Sequence, residues 1–170
     1  YICAQASGRR VNVFMDRSQL MQSLSFDDVT GGKNVVLKGI SSVALSKDAP
    51  DSDSLLLVAS FGGIIAMWRL DAINVAKMGQ APKYGRWRLE GTLPLRGQLV
   101  SSLSVRQGLL ATGSNQCVSV WKRGTYANAP WKQVWSTRTP RPLLRVQWSH
   151  DGQFLAAVPL NDTRVLVWRV

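Results

Sequence analysis

Val100 to Trp121 reads VSSLSVRQGLLATGSNQCVSVW, three short apolar runs separated by turn residues. Val100, Leu103 and Val105 make the first run, and Leu109, Leu110 and Ala111 the second. Cys117-Val118-Ser119-Val120-Trp121 is the third, alternating as a half-buried strand does. Gln107-Gly108 and Gly113-Ser114-Asn115-Gln116 are the expected turns, since Gly and Asn tolerate the positive φ of tight hairpins. The stretch therefore predicts three antiparallel strands closed by a tryptophan.

The block repeats. Ile2 to Phe14 (ICAQASGRRVNVF) aligns without a gap on Leu109 to Trp121 (LLATGSNQCVSVW), with Phe14 in place of the tryptophan. Leu56 to Trp68, in the run LLLVASFGGIIAMW from Leu55, and Phe154 to Trp168 are further copies, their turns differing by one residue. The closing aromatics Phe14, Trp68, Trp121 and Trp168 are spaced by 54, 53 and 47 residues. WD-type propeller blades repeat every ~40–45 residues, so these copies leave room for longer loops. The pattern predicts an all-β chain of WD-type β-propeller blades, each a four-stranded antiparallel sheet. Expected blades are 1–34 (partial), 35–95, 96–139 and 140–170 (outer strand missing). Because a closed ring usually needs about four to eight blades, the chain reads as an incomplete propeller from a longer protein.

Outer strands are expected at Leu20 to Phe26, Trp87 to Leu95 and Trp131 to Thr137, and first strands at Val35 to Leu45 and Leu143 to Trp148. Ala72 to Met78 reads as a short helical turn before Gly79. Cys3 and Cys117 sit near strand starts in different blades without a CxxC or His partner, so buried thiols are expected rather than a disulfide or zinc site. No run approaches the ~18 consecutive apolar residues of a membrane helix.

Charge is the one functional lead. The chain has 21 Lys+Arg against 10 Asp+Glu, and the whole net excess of +11 lies in residues 72–150, with twelve basic residues against Glu90 alone. Such asymmetry points to an acidic partner. Lys83, Arg86, Arg88, Lys122, Arg123 and Arg141 are the candidate partner-binding residues. Interleaved with Tyr84 and Trp87, such cations also suit single-stranded nucleic acid or anionic lipid, while a solvated rim around packed tryptophans is the plainer alternative.

Catalytic chemistry has little support. Ser149, His150 and Asp151 are triad residue types, yet three consecutive residues cannot take up relay geometry, and His150 is the only histidine. Glu90 is the only glutamate, Gly31-Gly32-Lys33 lacks phosphate-loop spacing, and Asp48, Asp51 and Asp53 miss the calcium-loop register. No cofactor, metal or small-molecule substrate is expected, and the chain is read as a non-enzyme.

Several stretches taken together resemble the amino-terminal WD-repeat region of the rabconnectin/DmX-like family, whose fungal member is the large subunit of the RAVE complex. They are Tyr84 to Leu95 (YGRWRLEGTLPL), Leu109 to Trp121, Trp131 to Ser136 (WKQVWS) and Val146 to Trp168 (VQWSHDGQFLAAVPLNDTRVLVW). The resemblance implies a cytoplasmic scaffold, recruited peripherally to vacuolar or endosomal membranes. It would help rejoin the peripheral and membrane sectors of the vacuolar proton ATPase. Implied partners are peripheral-sector subunits of that ATPase, other RAVE subunits including the Skp adaptor, and the remainder of its own propeller. Arg69, Lys122 and Arg169 follow the closing tryptophans where WD repeats have Asp, and with one histidine the usual Asp-His-Ser-Trp network cannot form. These blades are therefore expected to rely on apolar packing. An unrelated WD scaffold, or a basic propeller binding nucleic acid or anionic lipid, is the alternative; nucleic acid is the less favoured partner.

Overall fold

The computed structural model describes residues 2–7, 9–15, 19–25, 40–47, 54–61, 63–70, 86–95, 98–124 and 130–170. Within them the chain forms fourteen strands in four antiparallel sheets. Sheet one holds β1 (Ile2–Ser7), β2 (Arg10–Met15) and β3 (Gln19–Ser25). Sheet two holds β4 (Ser42–Lys47), β5 (Leu55–Phe61), β6 (Ile64–Leu70) and β7 (Arg88–Pro94). Sheet three holds β8 (Val100–Arg106), β9 (Leu109–Ser114), β10 (Cys117–Lys122) and β11 (Lys132–Arg138), and sheet four β12 (Leu143–Trp148), β13 (Phe154–Pro159) and β14 (Leu166–Arg169). Each is a simple meander in chain order.

The middle strands of sheet two, β5 and β6, are mostly apolar because both of their faces are covered. On β5, Leu57, Ala59 and Phe61 join Val11, Val13 and Leu24 of sheet one, together with Trp68 and Trp87. The intervening Leu56 and Val58 pack with Ile65 and Met67 against Val100, Leu103, Val105 and Leu110 of sheet three. On the far side of sheet three, Ala111, Val118 and Val120 meet Val146, Trp148, Leu155 and Ala157 of sheet four. The pleat sends successive side chains to opposite faces, so one LLLVASF run feeds two cores. Outer strands β7 and β11 are largely exposed.

The closing aromatics share a backbone device. In three sheets the pairing with the outer strand shifts register immediately before them, at Val13/Phe14, Met67/Trp68 and Val120/Trp121. The extra residue is on the outer strand each time, at positions 21, 90 and 134, and a bulge bends the strand that carries it. Trp68 is buried, and Trp121 packs at the junction of sheets two and three.

Innermost strands β4, β8 and β12 lie side by side and run the same way, joined by serine hydroxyls. Ser41 Oγ donates to Val100 O (2.6 Å), and the amide of Leu103 donates to Ser42 Oγ (3.0 Å). One sheet on, Ser101 Oγ donates to Leu143 O (2.6 Å), and the amide of Val146 donates to Ser102 Oγ (3.1 Å). The Trp148 amide adds a bond to Ser104 Oγ (3.0 Å). Each junction thus repeats one pattern: the first serine of a pair holds a carbonyl, and the second accepts an amide three residues further along the neighbour. Sheets one and two are joined differently, by Gln22, which accepts from the Trp87 amide (3.0 Å) and donates to its carbonyl (3.4 Å).

These bonds correct the expectation that apolar packing alone holds the sheets. A second correction concerns Gly113, which lies inside β9 and not in the turn; the positive φ falls on Gln116, at 61°. Gly113 is needed for closeness, because a Cβ there would sit 2.8 Å from Val146 Cγ1. Cys117 is a free, half-buried thiol, while the side chain of Cys3 and the expected helical turn at 72–78 lie outside the described residues.

Ser102→Ala leaves the buried Val146 amide without an acceptor and is expected to cost about 1–3 kcal/mol. Ser23→Ala, at an exposed bond to Asn12, is expected to cost under about 0.5 kcal/mol. Thermal unfolding followed by circular dichroism checks both.

Candidate functional site

The parallel run of β4, β8 and β12 gives every sheet the same two ends. One end carries the turns at Gly63, Asn115 and Asn161 and the starts of β8 and β12. The other carries the turns at Gln107-Gly108 and His150 to Gly152, the ends of β6 and β10, and the starts of β7 and β11. Register places the candidate cations on these ends. Arg88 pairs across the ladder with Arg69 at the end of β6, and Arg86 precedes β7. Lys122 pairs with Lys132, and the Arg123 amide donates to Gly108 O. Arg86, Arg88, Lys122 and Arg123 therefore share the second end.

Arg141 does not join them. It lies at the opposite end, where its Nη1 donates to Asn161 O in the β13–β14 turn. Asp162 in that turn takes the guanidinium of Arg164 on both carboxylate oxygens. Those hydrogen bonds, and the Arg164 backbone amide, lower its pKa to about 2. Lys83 lies outside the described residues.

Among the four that converge, exposure separates two roles. Arg86, Arg88 and Lys122 are exposed. The Arg123 side chain is only 11% exposed, and its guanidinium pairs with Oε1 of Glu90, itself 9% exposed. Arg69 reaches the same oxygen at 3.6 Å. Glu90 thus ties the outer strand of sheet two to the end of β10 in sheet three, so Arg123 serves the junction. Sequence reading grouped all four cations by sign alone; the sole glutamate of the basic segment was the signal that one was internally neutralised.

The remaining carboxylate of this end among the described residues is Asp151. It accepts from Ser149 Oγ and from the Gln153 amide, which hold its pKa below the ordinary carboxylate value. Ser149 therefore faces Asp151 and not His150, a turn arrangement. Among the described residues no group of three His, Cys, Asp or Glu gathers to hold a metal.

Trp87 and Trp131, which alternate with the cations in the sequence, are not exposed beside them, and Tyr84 lies outside the described residues. Trp87 is 3% exposed and packs between sheets one and two, and Trp131 is half-buried against the core between sheets two and three. A stacking platform for nucleic acid needs exposed rings beside the charges, and these two are taken by packing.

No protein-family model matches the chain, and no curated protein sequence matches it. Solved structures do. The β-propeller domain of Myceliophteria thermophila Cps50 (Swd1) superposes with a TM-score of 0.66 at 17% identity, covering 99% of this chain and 47% of that one. A chain of the mitotic checkpoint complex gives 0.64 at 18% identity, over 99% and 45%. The complex of KlAtg21 with the coiled coil of AgAtg16 gives 0.63 at 18%, over 99% and 50%. The fold is that of β-propeller blades. The chain spans about half the length of these propellers, and identities this low speak for the fold alone.

Glu90→Gln keeps the shape of the bridge and removes its charge, and is expected to cost about 1.5–3 kcal/mol. Replacing Arg86, Arg88 and Lys122 together by Ser should shift stability by no more than about 0.5 kcal/mol per site. Chemical denaturation of the two variants beside the wild type measures the contrast.

Proposed function

We propose that this chain is a protein-docking scaffold, in which the end bearing Arg86, Arg88 and Lys122 meets an acidic partner surface. The observation that carries the reading is the division of charge at that end: one carboxylate is buried in a junction, and three exposed cations have no described carboxylate paired with them. A rigid sheet stack presenting uncompensated charge speeds encounter with an acidic surface and sets its register. Propellers also meet proteins among the structural neighbours, as in the complex of KlAtg21 with the coiled coil of AgAtg16.

Sequence resemblance to the rabconnectin/DmX-like family supplies the finer reading. On it, the partners are peripheral-sector subunits of the vacuolar proton ATPase and other RAVE subunits, including the Skp adaptor. The scaffold acts in the cytoplasm at vacuolar or endosomal membranes and favours reassembly of the two ATPase sectors. Its contribution is binding and positioning, with no chemical step of its own.

The test is an affinity pull-down from cytosol with the full-length chain beside its Arg86→Ser/Arg88→Ser/Lys122→Ser variant. Wild type is expected to retain peripheral ATPase subunits, with the variant reduced at least tenfold and both melting alike. Retention by both would discard the basic end as the docking surface. Absence of ATPase subunits from both would discard the family assignment.

A further inference from the structure

We propose that the junction of sheets three and four, at the end bearing Lys122, docks an acidic segment of a partner protein, a placement that rests on the docking reading above. One carboxylate of that segment takes the place that Glu90 fills between sheets two and three.

Register makes the two junctions comparable. In sheet two the ladder pairs Trp68 with Leu89 and Arg69 with Arg88, and Glu90 is the extra residue of the outer strand. In sheet three it pairs Trp121 with Gln133 and Lys122 with Lys132, and Val134 is the extra residue. Lys122 thus stands for Arg69, Lys132 for Arg88 and Val134 for Glu90. The Arg123 amide donates to Gly108 O and the Val170 amide to Gln153 O, so Val170 stands for Arg123. Trp68 packs toward sheet one and Trp121 toward sheet two. The residue after each tryptophan points the other way, so Arg69 faces sheet three and Lys122 faces sheet four.

Between sheets two and three the charges close. Glu90, 9% exposed, takes Arg123 of sheet three and reaches Arg69 of its own sheet at 3.6 Å. Between sheets three and four they stay open. Lys122 and Lys132 lie directly opposite each other, an arrangement in which like charges repel. Both are exposed, and no described carboxylate pairs with either. Val134 and Val170 replace the ion pair but do not cover each other, being 53% and 45% exposed. Asp151, at the same end, has its Oδ1 occupied by the Ser149 hydroxyl and the Gln153 amide.

Apolar surface continues inward from the lysines on the same face. Trp135 of β11 and Trp168 of β14 meet edge to face with ring centroids 5.8 Å apart, and both are half-buried. Two ammonium groups, which only donate, select an acceptor of negative charge. The valines and ring edges select an apolar side chain beside it. A nucleic acid backbone would satisfy the lysines and leave the valines wet, whereas a protein segment with an acid next to an apolar residue satisfies both.

Fluorescence anisotropy of the full-length chain with two dye-labelled peptides tests the site, one alternating Glu with Leu and one alternating Glu with Ser. The Glu-Leu peptide is expected to bind saturably, and the Glu-Ser peptide about tenfold more weakly. Val134→Glu supplies in the chain itself the carboxylate that sheet two already has. It should melt no lower than the wild type and weaken the Glu-Leu peptide by about tenfold. Lys132→Ser should weaken it comparably, and Val134→Leu, which keeps the apolar surface, should leave it unchanged. Loss of binding in Arg86→Ser/Arg88→Ser, with none in Val134→Glu or Lys132→Ser, would keep the docking end and overturn this junction as its contact. No saturable binding of either peptide would also overturn it, while the pull-down above still decides the docking end. Tighter binding of oligouridylate than of the Glu-Leu peptide would overturn it in favour of nucleic acid.

Discussion

Face-to-face burial of successive sheets is the constraint on which the rest of this molecule depends. A four-stranded meander with one apolar face needs a single neighbour; sheets two and three have two apolar faces and need a neighbour on each side. That requirement accounts for the composition of the middle strands. Leu56, Leu57, Val58, Ala59 and Phe61 are all fully buried, alternate members serving different cores. It also accounts for the outer strands, where Lys132, Gln133 and Val134 face water because no third layer covers them.

Apolar packing leaves one problem unsolved, and the serine pairs solve it. The innermost strand of a sheet has an unpaired backbone edge, and neighbouring inner strands do not form a shared ladder. Hydroxyls fit that gap, since each can donate to a carbonyl and accept from an amide. Ser41-Ser42 and Ser101-Ser102 do this at successive junctions with the same three-residue offset. In the corresponding places β12 has Leu144 and Arg145, both exposed, and Gln147 in place of Ser104. Trp121 Nε1 also donates to Thr112 Oγ1 (3.2 Å), a side-chain bond across β9 and β10.

The strands were legible because their signal is local. The alignment of Ile2 to Phe14 on Leu109 to Trp121 matches β1 and β2 to β9 and β10 strand for strand. Outer strands expected at 87–95 and 131–137 lie at Arg88–Pro94 and Lys132–Arg138, a residue or so away. Contacts between sheets left no such mark. Serine is common in loops and strands alike, so Ser41 and Ser101 acquire meaning only when Val100 and Leu143 are placed beside them. The same holds for the candidate site: Arg123 and Arg141 look like Arg86 in the sequence. Pairing with Glu90 and placement at the opposite end distinguish them in space.

The stacking of the sheets depends on the inner-strand bonds as well as on the apolar cores. Residue-resolved amide hydrogen exchange of the full-length chain is the most direct test. The Leu103, Val146 and Trp148 amides point to serine oxygens of the neighbouring sheet, outside any strand ladder. They should exchange about as slowly as the ladder amides of β9 and β10. Exchange of these three at the rate of unstructured chain, while the ladders stay protected, would contradict the account, for the sheets would then be stacked by apolar contact alone.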